Sequence, residues 1–198
     1  FSYEADRVLF RNLSMRFQAG KTTGIVGATG AGKSTVLKLL VRLYDVDAGA
    51  VRYDDVDVRE LRLDDLRGAS ALVSQDVAIF AGSVRDNIAY ARPDATDDEI
   101  RRAADVAEAH EFIAKLPQGY ATQIGFRGLA LSAGQRQRLA IARVVLAERP
   151  ILLFDEATSA LDFKTEALVQ RSLHDVTEDR TCLIVAHRLS TVRNADLI

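Results

Sequence analysis

Residues 27–35 read GATGAGKST, a glycine-rich loop between two apolar runs. The spacing matches the phosphate-loop pattern G-x-x-x-x-G-K-[ST]. Its glycines allow backbone N–H groups to wrap a phosphate without obstruction by a Cβ atom. We expect Lys33 to place its charge near the β- and γ-phosphates and the Ser34 hydroxyl to join a Mg²⁺ shell. The alternative, a glycine-rich turn with an exposed lysine, does not explain the flanking strand and helix patterns. The predicted nucleotide-binding residues here are Gly27, Ala28, Thr29, Gly30, Ala31, Gly32, Lys33, Ser34 and Thr35.

Short apolar runs predict a mostly parallel sheet whose strands are buried on both faces. They are Thr22 to Val26, Ala69 to Val73, Ile151 to Phe154 and Thr181 to Ala186. A helix from Val36 to Leu43 is expected after the glycine-rich loop. Ligands of open α/β sheets bind outside the carboxyl ends of the strands. We therefore expect the groups that follow these runs to converge on one site: the loop itself, Gln75, Asp155 with Glu156, and His187.

The carboxylate pair at 155–156 completes the pattern of a Mg-dependent nucleoside triphosphatase. Asp155 suits a ligand behind the Mg²⁺ shell, and Glu156 could polarise a water for in-line attack. Such a pair is often only a solvated turn, but the phosphate loop favours the catalytic interpretation. His187 is expected to contact the γ-phosphate, and Gln75 is a weaker candidate by the same argument.

The remaining segments predict two additions to the sheet. Alternation from Phe1 to Phe17 indicates antiparallel strands with one wet face. Residues 84–138 show helical periodicity, and Thr96 to Glu99 resembles a capping box. One helix is expected from there to Leu116, ended by Pro117-Gln118-Gly119. The predicted fold class is α/β: a mostly parallel core, an N-terminal antiparallel β-subdomain and an inserted α-helical subdomain.

A second anion-binding arrangement is predicted at Ser132-Ala133-Gly134-Gln135. A serine N-cap directs free backbone N–H groups outward at the positive end of a helix dipole. This helix start is about 100 residues from the phosphate loop.

Net charge, cysteine content and the chain ends each indicate something about the protein. A net charge of −2 gives no support for a nucleic-acid surface, and no nucleic-acid partner is expected. The only cysteine, Cys182, lies in an apolar run and is expected to be buried and reduced. Both ends look cut, so we expect a segment of a longer chain.

The residues resemble the nucleotide-binding domains of ABC transporters along essentially the whole chain. Besides the phosphate loop, Gln75 is similar to the family's Q-loop and Ile151 to Glu156 to its Walker B strand. Ser159 to Asp162 looks like the D-loop, His187 like the switch histidine, and LSAGQ, from Leu131, like the LSGGQ signature. The resemblance implies that Tyr3 stacks on adenine and that Ser34 and Gln75 serve Mg²⁺. It further implies a single ATPase domain over 1–198, with 1–83 and 139–198 as the nucleotide-binding core and 84–138 as the helical signature subdomain.

The resemblance also implies partners and explains the two anion sites. Domains of this family pair head to tail, so Ser132, Ala133, Gly134 and Gln135 would contact ATP held by a second domain, with Asp162 nearby. Segments such as QDVAIFAGSVRDNIAY and DEATSALD resemble those of exporter-type domains. The coupling helices of an exporter's membrane domain would dock on the helical subdomain and the Gln75 region. The expected location is the cytoplasmic face of the cell (inner) membrane.

Two departures from the family pattern leave alternatives open. Ala133 replaces the first glycine of the signature, and Phe126 stands where such exporters usually carry glutamate. The chain could form a homodimer, or one half of a heterodimer with a weakened site. Two other functions remain: a soluble member of the superfamily acting on nucleic acid or ribosomes, and a regulatory domain that binds ATP without hydrolysing it.

Overall fold

The computed structural model describes residues 1–4, 6–125, 128–156, 163–177, 180–186 and 189–198. The chain forms two compact units. Unit 1 comprises Phe1–Ala71, Arg149–Asp155 and Asp179–Ile198, and unit 2 comprises Leu72–Glu148 and Glu156–Glu178. The predicted boundaries of the helical subdomain, 84 and 138, stay a prediction.

The described residues contain ten strands and eight α-helices. The strands are β1 Ser2–Glu4, β2 Arg7–Val8, β3 Thr22–Ile25, β4 Arg52–Tyr53, β5 Val56–Asp57, β6 Ser70–Val73, β7 Gly82–Ser83, β8 Gln123–Ile124, β9 Ile151–Asp155 and β10 Thr181–Val185. The helices are α1 Lys33–Leu40, α2 Leu63–Gly68, α3 Val84–Ile88, α4 Asp97–Val106, α5 His110–Ala114, α6 Ala133–Ala147, α7 Phe163–Thr177 and α8 Leu189–Val192. Short 3₁₀ turns cover Ala89–Ala91 and Gly119–Ala121.

A four-stranded sheet in the order β3-β10-β9-β6 confirms the predicted α/β class. Strand β10 pairs in parallel with β3 on one side and with β9 on the other. The four predicted strands are all present, with ends within one residue of those expected. Continuous apolar runs predict such strands well because a central parallel strand is buried on both faces.

The core of unit 1 lies between this sheet and α1. Its buried side chains come from β3, β9, β10, helix α1 and the residue that caps its C-terminal end: Ile25, Leu37, Val41, Leu153, Leu183 and Val185. Cys182 on β10 is fully buried, and burial raises the pKa of its thiol well above the usual value. The predicted buried cysteine is confirmed.

Helix α1 begins at Lys33 and ends at Leu40, three residues earlier at each end than predicted. Gly32 precedes it with a φ of 92°, a left-handed conformation that favours glycine. A Cβ atom there would also lie 2.5 Å from the Phe10 ring. The helix therefore starts inside the glycine-rich loop, and Lys33, Ser34 and Thr35 form its first turn.

The opening segment is only partly strand. Ser2 pairs with Val8 and Glu4 with Arg7 in an antiparallel ladder, which confirms the predicted pairing at this end. The prediction is wrong beyond Val8, because Phe10, Leu13, Met15 and Phe17 are described outside any strand. Leu13 and Met15 are about half exposed, so their alternation does not mark a face packed on a core.

The helical segment of unit 2 is divided where one helix was predicted. The Thr96–Glu99 capping box is confirmed, and its hydrogen bonds hold the pKa of Glu99 below its usual value. However, α4 ends at Val106 and α5 begins at His110. Glu108 between them has a φ of 53°, and its carbonyl accepts a 2.7 Å bond from Arg138. No glycine or proline marks this break in the sequence.

Arg143 on α6 ties three segments of unit 2 together. Its guanidinium donates to the Asn87 carbonyl (2.6 Å), to the Asn87 side-chain oxygen (2.7 Å) and to the Ala78 carbonyl (2.7 Å). It also lies 5.1 Å above the centre of the Phe80 ring. These acceptors are neutral, and burial lowers the pKa of Arg143 to about 10. Asn87 is itself buried and bonds the backbone of Phe80 and Ser83.

We predict that Arg143→Met destabilises the domain by about 2–3 kcal/mol, because both acceptors of the buried Asn87 lose the donors that Arg143 supplies. Thermal or denaturant unfolding measures the change. Arg101→Met on the exposed face of α4 is the matched control and should change stability by less than about 0.5 kcal/mol. Equal effects of the two substitutions would contradict this assignment.

Gly24 in β3 provides a second test of packing. A Cβ atom at this position would lie 2.7 Å from both Cβ and Cγ1 of Val192, which is fully buried on α8. We expect Gly24→Ala to reduce the free energy of unfolding by about 1–3 kcal/mol through overpacking. Gly68→Ala, where nothing lies within 4 Å of the added atom, should be neutral or slightly stabilising. Denaturant or thermal unfolding curves of both variants measure these free energies, and an unchanged stability of Gly24→Ala would contradict the close packing on Val192.

Candidate functional site

The register of the parallel sheet aligns the carboxyl ends of three strands. Ile25 of β3 pairs with Val185 of β10, and Val185 pairs with Asp155 of β9. The glycine-rich loop starts at Gly27, two residues after Ile25. Unit 1 therefore carries the loop and the Asp155 carboxylate at one edge of the sheet, as the sequence predicted.

Lys33 is held within the loop that precedes it. Its ammonium donates to the carbonyls of Gly27 and Ala28, both at 2.9 Å, and the residue is only 8% exposed. An ammonium group has three donors. Two of them fix the lysine in the loop, and the third has no partner among the described residues, so it can donate to an anionic oxygen.

Ser34 and Asp155 meet directly. The Ser34 hydroxyl donates to the Asp155 carboxylate over 2.7 Å, although 121 residues separate them in the chain. Asp155 is buried at the end of β9. A hydroxyl and a carboxylate are hard oxygen donors of the kind Mg²⁺ prefers, so this pair fits the predicted metal. The third predicted metal residue, Gln75, is exposed two residues after β6 and belongs to unit 2.

Tyr3 on β1 makes ring and hydroxyl contacts within unit 1. Its ring meets those of Phe1 and Tyr44 edge-on, with centroids 5.0 Å apart in both pairs. Its hydroxyl lies 3.0 Å from the hydroxyl of Thr35 in the first turn of α1. The residue is nonetheless 47% exposed. The ring is thus fixed in position and accessible to a planar ligand.

Glu156 follows Asp155 with a φ of 50°. The left-handed region is unfavourable for a residue with a side chain, by about 1–2 kcal/mol. The turn immediately after β9 is therefore made by a glutamate in a conformation that glycine would adopt more easily. Glu156 is half-buried and belongs to unit 2.

The predicted serine N-cap at 132 is confirmed. The Ser132 hydroxyl accepts from the Gln135 amide (3.3 Å), and the Gln135 side chain accepts from the Ser132 amide (2.9 Å). This capping box starts the 15-residue helix α6 in unit 2. Ala133 and Gly134 occupy the first two positions of the helix, where backbone N–H groups lack a partner within the helix. The arrangement suits an anion.

Three features singled out in the sequence lie outside the described residues: the switch histidine His187, the D-loop stretch from Ser159 to Asp162, and the departure at Phe126.

An exposed aromatic pair in unit 2 was not predicted from the sequence. The rings of Phe80 and Tyr90 stack with centroids 4.1 Å apart and an interplanar angle of 10°. Their exposed fractions are 39% and 61%. Aromatic residues at the two ends of the segment IFAGSVRDNIAY were the available signal. No helix in the described part of the chain is long and apolar enough to cross a membrane.

Comparisons with known proteins agree with this geometry. The family model described as ABC transporter matches residues 10–159. ABC transporter B family member 19 of Arabidopsis thaliana is 50% identical over the whole chain, which covers 16% of that protein. A Bacillus subtilis relative, provisionally named multidrug export ATP-binding/permease protein YgaD, is 45% identical over the whole chain, which covers 34% of that protein.

A solved structure has the same fold. It is a bacterial Atm1-family ABC exporter with ATP bound, 44% identical, with a TM-score of 0.93 over the whole chain. The chain covers 35% of that structure, and it spans between about a sixth and about a third of the length of these relatives. The phosphate loop, the Ser34–Asp155 pair and these matches lead to one conclusion. The chain belongs to the ABC transporter family, as an ATPase domain of the exporter type.

Proposed function

We propose that this domain binds Mg-ATP in its phosphate loop, closes on a second such domain around two nucleotides, and drives export through an attached membrane domain. The observation that carries the proposal is the hydrogen bond from Ser34 to Asp155 beside the loop that holds Lys33. It joins the two halves of a magnesium nucleotide site in one unit of the fold.

The ATP-binding step assigns a role to each part of unit 1. The exposed ring of Tyr3 receives the adenine, while the loop amides and the Lys33 ammonium hold the phosphates. Ser34 and Gln75 would hold Mg²⁺, with Asp155 behind Ser34. When bound, the metal neutralises charge on the phosphate oxygens.

Hydrolysis needs a group that positions the attacking water. Glu156 is the candidate general base, or at least orients the water, and His187 and Gln75 act on the γ-phosphate. The left-handed backbone at Glu156 supports a functional reason for its position, because strained conformations concentrate at active sites.

Dimerisation gives a use to the second anion-binding helix. The amides at Ala133 and Gly134, with Ser132 and Gln135, would contact ATP held by the partner domain, with Asp162 close to the same nucleotide. The two-fold arrangement creates two equivalent composite sites in a homodimer. Because Ala133 departs from the family's glycine, a heterodimer with one altered site remains the alternative.

Coupling to transport is assigned to unit 2. The exposed Phe80–Tyr90 pair is an apolar surface suited to the coupling helices of a membrane domain. The name of the Bacillus subtilis relative joins ATP-binding and permease parts in one protein, and the solved neighbour is an exporter. These names support membrane association, and the proposed location is the cytoplasmic face of the membrane.

Lys33 provides the test of nucleotide binding. Lys33→Ala should weaken Mg-ATP binding by about 10- to 100-fold, since it removes a charged donor worth about 1.5–3 kcal/mol. Equilibrium titration of the full-length protein measures the affinity. Lys38→Ala, near the other end of the same helix, is the matched control and should bind normally. Unchanged affinity in Lys33→Ala would remove the lysine from the site.

Substitution of Glu156 separates nucleotide binding from turnover. Glu156→Gln should retain Mg-ATP binding but lose at least about 100-fold in phosphate release, the usual contribution of a positioned base. Glu60→Gln, an exposed position in unit 1, should hydrolyse at the wild-type rate. An active Glu156→Gln protein would exclude this glutamate from the mechanism.

The same Glu156→Gln protein tests the paired state, because it should accumulate ATP-bound dimers. Cysteines introduced at Thr29 and Ser132 should cross-link between two domains with Mg-ATP, and not without nucleotide. Failure to cross-link in saturating Mg-ATP would argue against head-to-tail closure in the homodimer and for a different partner chain.

A further inference from the structure

The hydroxyl of Tyr3 has a contact that stacking on a base does not explain. A phenylalanine ring offers the same planar face, so adenine stacking needs only the ring. In the structure the hydroxyl lies 3.0 Å from Thr35 Oγ1, across 32 residues of chain. Thr35 is 6% exposed and directly follows Lys33 and Ser34 in the first turn of α1. The bond therefore joins the ring that is proposed to stack on the base to the turn that is proposed to hold the phosphates.

The hydrogen-bonding capacity of Thr35 makes this link useful. A threonine hydroxyl has one proton to donate and two lone pairs to accept with. When the Tyr3 hydroxyl donates, the Thr35 proton is left for an anionic oxygen. A threonine near a helix start could otherwise direct its hydroxyl to nearby backbone groups. The Tyr3 contact opposes that alternative and keeps the proton directed away from the backbone.

The position of Tyr3 is itself well determined. Its ring meets Tyr44 at an interplanar angle of 87° and Phe1 at 81°. Edge-to-face contacts of this kind favour one ring orientation over others. The ring is thus held on one side by aromatic neighbours and at its hydroxyl by Thr35. A ring held in this way can fix the orientation of the Thr35 hydroxyl in the first turn of α1.

We infer that Tyr3 is a positioning residue for the phosphate loop, through the hydrogen bond between its hydroxyl and Thr35, in addition to being a platform for the base. The inference rests on the proposed function, since it assumes that the loop binds a nucleoside triphosphate. It assigns the ring and the hydroxyl of one side chain to different parts of the same ligand.

The test is a double-mutant cycle in the full-length protein, with equilibrium affinities measured for Mg-ATP and Mg-GTP. Tyr3→Phe keeps the ring, Thr35→Val keeps the shape of the threonine, and the third variant combines them. Tyr120→Phe is the matched control, because it removes a tyrosine hydroxyl that also makes a hydrogen bond, 2.9 Å to His110, but in unit 2.

We expect Tyr3→Phe to weaken both nucleotides equally, by about 2- to 10-fold, the usual effect of losing one neutral hydrogen bond. In the Thr35→Val background, Tyr3→Phe should not weaken binding further, because the Thr35 hydroxyl that bonds Tyr3 is already absent. Tyr120→Phe should bind both nucleotides like the wild-type protein.

Three results would overturn the inference while leaving the proposed function intact: wild-type affinity in Tyr3→Phe, a loss confined to Mg-ATP, or an equal loss with and without the Thr35 hydroxyl. A wild-type protein that binds neither nucleotide would instead overturn the proposed function, and this inference with it.

Discussion

The parallel pairing of β10 with both β3 and β9 is the constraint on which the site depends. It aligns Ile25, Val185 and Asp155 across the sheet. The glycine-rich loop therefore begins next to the buried Asp155 carboxylate, at the same end of the sheet. Helix α1 packs on these strands through Leu37, and Val41 at its C-cap joins the same core, which fixes the direction of the first turn. The 2.7 Å contact between Ser34 and Asp155 follows from that alignment. A shift of one residue in either pairing would turn Asp155 to the opposite face of the sheet.

Much of this arrangement was predictable because the relevant signals are local. Apolar runs identified the four strands, and the patterns at Thr96 and Ser132 identified two helix starts that have the expected capping boxes. The errors arise where distant residues decide the local structure. Helix α1 starts early because Gly32 takes a left-handed conformation beside Phe10. The break between α4 and α5 falls at Glu108, whose carbonyl is bonded by Arg138 from 30 residues away, and no turn residue announces it.

The side-chain contacts within the site were the least predictable part. Resemblance to a family assigned the ring of Tyr3 a role, but the bond between its hydroxyl and Thr35 requires knowing that β1 and α1 are adjacent. The Phe80–Tyr90 stack and the Arg143 bonds behind it depend in the same way on the fold of unit 2. Periodicity distinguishes buried from exposed positions, but it does not say which polar groups meet.

The burial of Cys182 in the middle of β10 has a practical consequence. It is the only cysteine in the 198 residues, no part of it is exposed, and its thiol resists ionisation. Thiol-directed reagents act on the thiolate, so Cys182 should not react when the folded domain is labelled. A fluorophore or spin label attached to a cysteine introduced elsewhere in the domain would then report from one known place, without any need to remove the native residue.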